Sequence, residues 1–454
     1  MGTEVTVLKN TLRVTMFPWL AYGHIGPFLR VAKKLVDRGF LIHVLSTAVN
    51  LKSTAKKIPE KYQPSIQLIE LHLPLLPELP SHLHTTNGLP PHLNHTLQRA
   101  LKLAKPNLSK NLQDLKPDLV ISDFLQQWSS RVANDQGIPQ VGLLTSGAAV
   151  LSYMWNHVTK PGNEFPFEAI YLRKNALDKT SEAMAQSAKD KEPDDLDPFA
   201  DANMQVMLMS TSRVIEAKYI DYFAKLSNWQ VVPVGTPVQT ATADDISEKE
   251  LMDWLGKKPP NSTVFVSFGS EYFLSKEDRE EIAFGLELSG VNFIWVVRFP
   301  KGLEQSLEDA LPPGFSERIG DRGRVVTKFA PQPAILSHPS TGGVISHCGW
   351  NSVMESVDFG VPIIAMPQHL DQPMNARLIV ELGVAVEVVR DDEGKVHRDE
   401  IARITRDVIM SKSGENLKKK MADLAKLLKA ARDEEMDTAA EALIKLCKKS
   451  PKAN

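Results

Sequence analysis

Residues 345–356 read ISHCGWNSVMES, crowding His347, Cys348, Asn351, Ser352 and Glu355 into one turn between an apolar run and a helical one. A metal, a nucleophile, or an anion seated on a helix end could each use such a turn. A strand ending near His347 and a helix starting at Asn351 or Ser352 would aim several free backbone N–H groups and a positive dipole end at one spot. His347, Asn351 and Ser352 add donors there, and Glu355, about one turn on, can accept both hydroxyls of a ribose. A nucleotide phosphate suits this set better than a metal or a nucleophile. Ordinary N-capping beside a satisfied buried histidine would use the same residue types, so the stretch alone leaves both readings open.

Two further residues sit where chemistry is expected. His24, within Gly23-His24-Ile25-Gly26, directly follows the apolar run 13–19, and Asp123 closes DLVISD. A parallel doubly wound sheet brings such strand ends to one carboxyl edge, where ligands bind. The runs 13–19, 41–47, 65–71, 118–123 and 139–144 are continuously apolar and alternate with helical spacing such as Phe28, Leu29, Val31, Ala32 and Leu35. That pattern indicates a parallel sheet covered on both faces. It restarts at 262–270, 292–298, 323–329, 342–347, 361–367 and 384–389. The sequence thus predicts an α/β protein of two doubly wound domains. Pro, Gly, Thr and acidic residues replace the periodicity at 232–250, which puts a linker at 237–250 between domains 1–236 and 251–430. Apolar residues at helical spacing from Asn416 to Lys449 predict terminal helices, with 431–454 packing back on the first domain. The Pro- and His-rich stretch 71–93 and the polar stretch 160–200 keep no period and read as recognition loops.

The bulk numbers narrow the function. A chain of 454 residues needs more than one core. A formal charge of −2 gives no footprint for nucleic acid or an anionic membrane. No apolar run approaches the ~20 residues of a membrane span. Cys348 and Cys447 are the two cysteines, too few for a disulfide framework or a CxxC metal pair. A monomeric cytoplasmic protein with a small-molecule partner is expected.

From Phe329 to Gln372 the chain reads FAPQPAILSHPSTGGVISHCGWNSVMESVDFGVPIIAMPQHLDQ. This stretch resembles the signature of the plant UDP-dependent glycosyltransferases that act on small secondary metabolites. The matching positions are the APQ, the IL-x-H, the HCGWNS, the following Glu355, the GVP and the closing DQ. GHIGPF (23–28) and VSFGSE (266–271) extend the resemblance over nearly the whole chain. It implies the glycosyltransferase B architecture, two Rossmann-like domains facing across a cleft, with UDP-glucose as donor and no metal or other cofactor. Carried over by position, Ala330 and Gln332 hold the uridine, Glu355 the ribose, and Ser270, His347, Asn351 and Ser352 the diphosphate. Trp350, Asp371 and Gln372 hold the sugar hydroxyls. The chain departs from the pattern at Phe329, where a Trp normally stacks on the uracil; a phenyl ring covers less of the base.

The resemblance also makes His24 and Asp123 a catalytic dyad. An alcohol is a poor nucleophile at neutral pH, so a neutral histidine must take its proton while a carboxylate on the other ring nitrogen fixes the tautomer. The expected reaction is a direct displacement at the anomeric carbon with inversion. HTTNGLPPHL (84–93), GSEYFLSKE (269–277) and HLDQPMNARL (369–378) look most like the branch that adds glucose to a sugar already on a flavonoid or terpenoid. Alternatives are an aglycone hydroxyl or a carboxylate as acceptor, or a nonenzymatic UDP-sugar-binding protein. Other signals are weaker. Asp195-Leu196-Asp197 lies in an acidic loop without a preceding strand and reads as solvated surface. His82, His84, His92 and His95 lack acidic partners at metal-binding spacing. No GxGxxG follows a strand, which disfavours a nicotinamide-dependent oxidoreductase.

Overall fold

The computed structural model describes residues 11–449 apart from 127, 175, 179–204, 236–237, 239–248, 270–271, 300–305 and 328–329. Ser270, Phe329 and the pair Asp195 and Asp197 lie outside the described residues.

The first half forms a seven-stranded sheet of β1 (Arg13–Phe17), β2 (Leu41–Ser46), β3 (Ile66–Glu70), β4 (Leu119–Asp123), β5 (Gln140–Leu144), β6 (Val206–Met209) and β7 (Gln230–Pro233). Their order is β3-β2-β1-β4-β5-β6-β7, and every pairing is parallel. The second half repeats the plan with β8 (Thr263–Ser267), β9 (Asn292–Val296), β10 (Gly323–Val326), β11 (Thr341–Ser346), β12 (Ile363–Ala365) and β13 (Ala385–Glu387). These run in the order β10-β9-β8-β11-β12-β13, again all parallel. Central strands such as β4 and β11 are buried at every position, because helices cover both faces.

The chain reverses its direction of travel across the first sheet between β1 and β4, and across the second between β8 and β11. Crevices open at those points, beyond the carboxyl ends of the strands. The register sets their contents. Phe17 is level with Ser122, so Asp123 emerges beside the residues that follow β1. Ser346 is level with Ser267, so the turns after β8 and β11 face each other.

The sequence pattern yields five strands for the first sheet, and the structure adds β6 and β7. Val206–Met209 is Met-rich, with little β-branched content to mark it. Gln230–Pro233 ends in a proline, which an edge strand tolerates because its outer N–H groups need no ladder partner. Val232 and Pro233, where the change in composition begins, therefore belong to the sheet.

The terminal helix Lys412–Lys449 is continuous over 38 residues, about 57 Å at 1.5 Å per residue. Met421 and Leu428 are buried in the core that includes Ile363 and Val357, while Met436, Ala439, Ala440 and Leu443 enter the core of the first sheet with Val14 and Ile42. Polar contacts fasten the same segment: Arg38 Nε donates to Asp437 at 2.7 Å, and the Ser212 hydroxyl donates to Glu435 at 2.8 Å. No helix among the described residues is long and apolar enough to cross a membrane.

Because Leu443 is fully buried in the first core, Leu443→Ala is expected to destabilise the protein by roughly 2–5 kcal/mol. Leu427→Ala, on the exposed side of the same helix, should stay within about 0.5 kcal/mol. Denaturant unfolding of both variants checks the strap.

Candidate functional site

His24 lies in the first turn of the helix Tyr22–Val36, whose buried side includes Ile25, Phe28, Leu29, Val31, Ala32 and Leu35. Its Nδ1 is 2.7 Å from Asp123 Oδ2, with Thr145 Oγ1 3.1 Å from the same nitrogen. Asp123 is 1% exposed and is held by two backbone donors: Trp19 N–H at 3.1 Å on Oδ2 and Leu125 N–H at 3.0 Å on Oδ1. A carboxylate fixed in this way accepts the Nδ1 proton and leaves the lone pair of neutral His24 on Nε2. A quarter of the His24 side chain remains exposed, so the ring is reachable.

The loop 71–93 closes over this edge. Leu73, Leu79 and Leu89 are buried in one cluster with Phe17, Trp19 and Leu20. The Thr86 N–H donates to the Leu20 carbonyl at 3.0 Å, and the Thr47 hydroxyl to the His84 carbonyl at 2.7 Å. Of the loop histidines only His84 is buried; His82, His92 and His95 are exposed. Among the described residues no group of three or more His, Cys, Asp or Glu could hold a metal.

Opposite, the turn after β11 carries His347 and enters the helix Trp350–Asp358. Cys348 makes the turn at φ 65, in the left-handed region. Burial pushes its thiol pKa well up, which leaves it inert rather than nucleophilic. The helix begins at Gly349 with no side-chain cap, so its first N–H groups are available to an anion. His347 is buried between two glycines. A Cβ on Gly269 would fall 2.7 Å from its Nε2, and one on Gly349 2.6 Å. Burial pulls the imidazole pKa down to about 4, so it is neutral at physiological pH.

Glu355 accepts from Gln332 Nε2 at 2.6 Å, and Gln332 opens the helix Gln332–Ser337 directly after buried Ala330 and Pro331. The ribose and uridine residues expected from sequence therefore lie together. Gln372 Oε1 accepts from the Gln368 and His369 backbone at 3.0 and 3.2 Å, which orients its amide. Asp371 Oδ2 accepts from Asn375 Nδ2 at 2.9 Å and, across the cleft, from the Ser146 hydroxyl at 2.9 Å. Ser352 is half-buried at the helix start.

Two residues are more committed than their sequence suggests. The Trp350 indole N–H donates to the Ser210 carbonyl of the first domain at 2.7 Å, leaving its backbone N–H to face a ligand. Asn351 Nδ2 donates to the Gly23 carbonyl at 2.8 Å, and Asn351 Oδ1 accepts from Arg30 Nη2 at 2.7 Å. Proline at position 27 has no N–H to return to Gly23, so the helix itself leaves that carbonyl open. Sequence reasoning missed Arg30, Thr145, Ser146, Ser210 and Asn375. Thr145 and Ser146 directly follow a recognised strand at the carboxyl edge, and that position was a usable signal.

A family model described as UDP-glucoronosyl and UDP-glucosyl transferase matches residues 229–440. The chain is 53% identical to the Gardenia jasminoides beta-D-glucosyl crocetin beta-1,6-glucosyltransferase over 95% of its length and 98% of that protein. It is 47% identical to a Siraitia grosvenorii mogroside IIIx synthase over 94% of its length and 92% of that protein. The structure of Phytolacca americana UGT2 complexed with UDP-2fluoro-glucose and pterostilbene is similar at a TM-score of 0.74. It shares 27% identity, covering 96% of this chain and all of that one.

Gly349→Ala would drive a methyl group into His347 at the anion turn. Overpacking should lower the stability by about 1–3 kcal/mol in denaturant unfolding, and UDP should bind more weakly in calorimetry.

Proposed function

The chain belongs to the plant UDP-glycosyltransferase family, and on that premise we propose that it transfers glucose from UDP-glucose, with inversion, to a sugar hydroxyl of a flavonoid or terpenoid glycoside. The observation that carries the chemistry is the 2.7 Å contact between His24 and Asp123 at the edge facing the anion turn. As the acceptor oxygen attacks the anomeric carbon, its proton passes to His24 Nε2 and the imidazolium is stabilised by Asp123. The bond from that carbon to the UDP oxygen breaks. Charge developing on the diphosphate meets the helix N-terminus and the His347 ring. Ala330 and Gln332 hold the uridine, Glu355 the ribose, and Asp371, Gln372 and the Trp350 backbone N–H the sugar. Asn351 and Ser352 complete the phosphate end.

The glycoside acceptor is supported by the name of the Gardenia relative, which places its transfer on a molecule that already carries a glucose. The loop 71–93 fits it too, setting Thr85, Thr86 and Asn87 among buried leucines, a polar patch in an apolar wall. A small, near-neutral partner accords with the formal charge of −2.

His24→Ala is expected to lower kcat by roughly 10²–10⁴-fold while UDP binding stays unchanged. Asp123→Asn should lose less, because the base remains and only its orientation suffers. Steady-state turnover with calorimetric UDP binding checks both, and comparable turnover in His24→Ala would contradict the base assignment. With a panel of aglycones and their monoglucosides, UDP release should show higher kcat/KM for the monoglucosides. Equal or better turnover of aglycones across the panel would count against the glycoside acceptor.

A further inference from the structure

Arg30 is the one charge within the run Phe28-Leu29-Arg30-Val31-Ala32, on the same helix as His24. It reaches across the cleft to the helix Trp350–Asp358, where its Nη2 donates to Asn351 Oδ1 at 2.7 Å. Its Nε is fully covered and has no hydrogen-bond partner among the described residues. Asn351 and Glu355 are four residues apart and share a helix face, so a group bonded to the first stands beside the second. Burial lowers the Arg30 pKa and raises that of Glu355, and the charge of each opposes the shift of the other.

We propose that Arg30 is a positioning residue for the donor nucleotide: it holds Asn351 from the opposite domain and braces the Glu355 carboxylate as a two-point acceptor for the ribose hydroxyls. The inference rests on the assignment of Glu355 to the ribose. The bond to Asn351 Oδ1 turns the amide so that Nδ2 meets the Gly23 carbonyl, one residue before His24. The ribose end of the donor and the catalytic base are thereby tied to one guanidinium. Glu355 has few other charges to rely on. Gln332 is neutral, and Asp358 on its own helix acts against its ionisation while pairing with Arg432 of the terminal helix. Around Arg30, Lys33 and Lys57 have their pKa values lowered by its charge and by burial. Removing Arg30 therefore takes away the main opposing force to protonation of Glu355. The folded-state pKa of Glu355 rises further, and the acceptor form is lost at a higher pH as pH falls.

The test is calorimetric binding of UDP and 2′-deoxy-UDP to the full chain and to Arg30→Met and Arg30→Lys, from pH 5 to 8. Arg30→Met is expected to weaken UDP roughly tenfold at neutral pH, with the acid limb of the affinity profile displaced upward. It should weaken 2′-deoxy-UDP clearly less, because part of what Glu355 accepts is missing from that ligand. Arg30→Lys keeps the charge and should recover part of the loss. If the Met variant does not fold, Arg30→Gln carries the same comparison. Equal weakening of both nucleotides with an unmoved pH profile would reduce Arg30 to a structural contact and overturn the proposal. Wild-type affinity in Arg30→Met would overturn it too. Failure of the wild-type chain itself to bind UDP would instead overturn the donor assignment beneath it.

Discussion

The contact between His24 and Asp123 depends on a pairing that no local sequence specifies. The two residues are separated by 99 positions, and they meet because β1 and β4 lie side by side, parallel and in fixed register. A one-residue slip would turn the side chains of β4 to the opposite face and take Asp123 away from the ring. Trp19 and Leu125 then fix the carboxylate through their backbone N–H groups, so the Asp123 partner of His24 is itself oriented by main chain. Thr145 joins from β5 by the same logic of adjacent strand ends.

The proposed donor site is the mirror problem in the second sheet, and the two halves are joined across the cleft. Trp350 bonds Ser210, Asn351 bonds Gly23, and Ser146 bonds Asp371, each across the cleft. Farther out, Arg173 and Arg377 converge on Glu387, and the terminal helix runs from one core into the other. The two faces of the cleft are thus held by these cross-cleft bonds and by the apolar strap.

What was legible in the sequence follows from how local each signal is. Central strands buried on both faces announce themselves as apolar runs, and the turn around His347 carries its helix-end chemistry in consecutive residues. Strands β6 and β7 escaped because one is built of methionine and the other ends in proline. Arg30 escaped because its partners lie more than 300 residues away, so the sequence shows only a charge in an apolar helix. Trp350 is expected at the site from sequence alone, but the use of its indole N–H by Ser210 is a fact of domain packing. The family resemblance suggests roles for residues, whereas cross-cleft bonds need the fold.

The central claim is that Asp123 holds the His24 imidazole with its proton on Nδ1 and its lone pair on Nε2, facing the acceptor. Nitrogen-15 NMR of the chain labelled at histidine, with His24→Gln used to assign the signal, reads that tautomer directly at neutral pH. A protonated Nδ1 and an unprotonated Nε2 in the wild-type chain, with the two tautomers mixing in Asp123→Asn so that part of the base form remains, is the expected result. An Nε2–H tautomer in the wild-type chain would contradict the claim, since such a ring could not take a proton from an acceptor hydroxyl at that nitrogen.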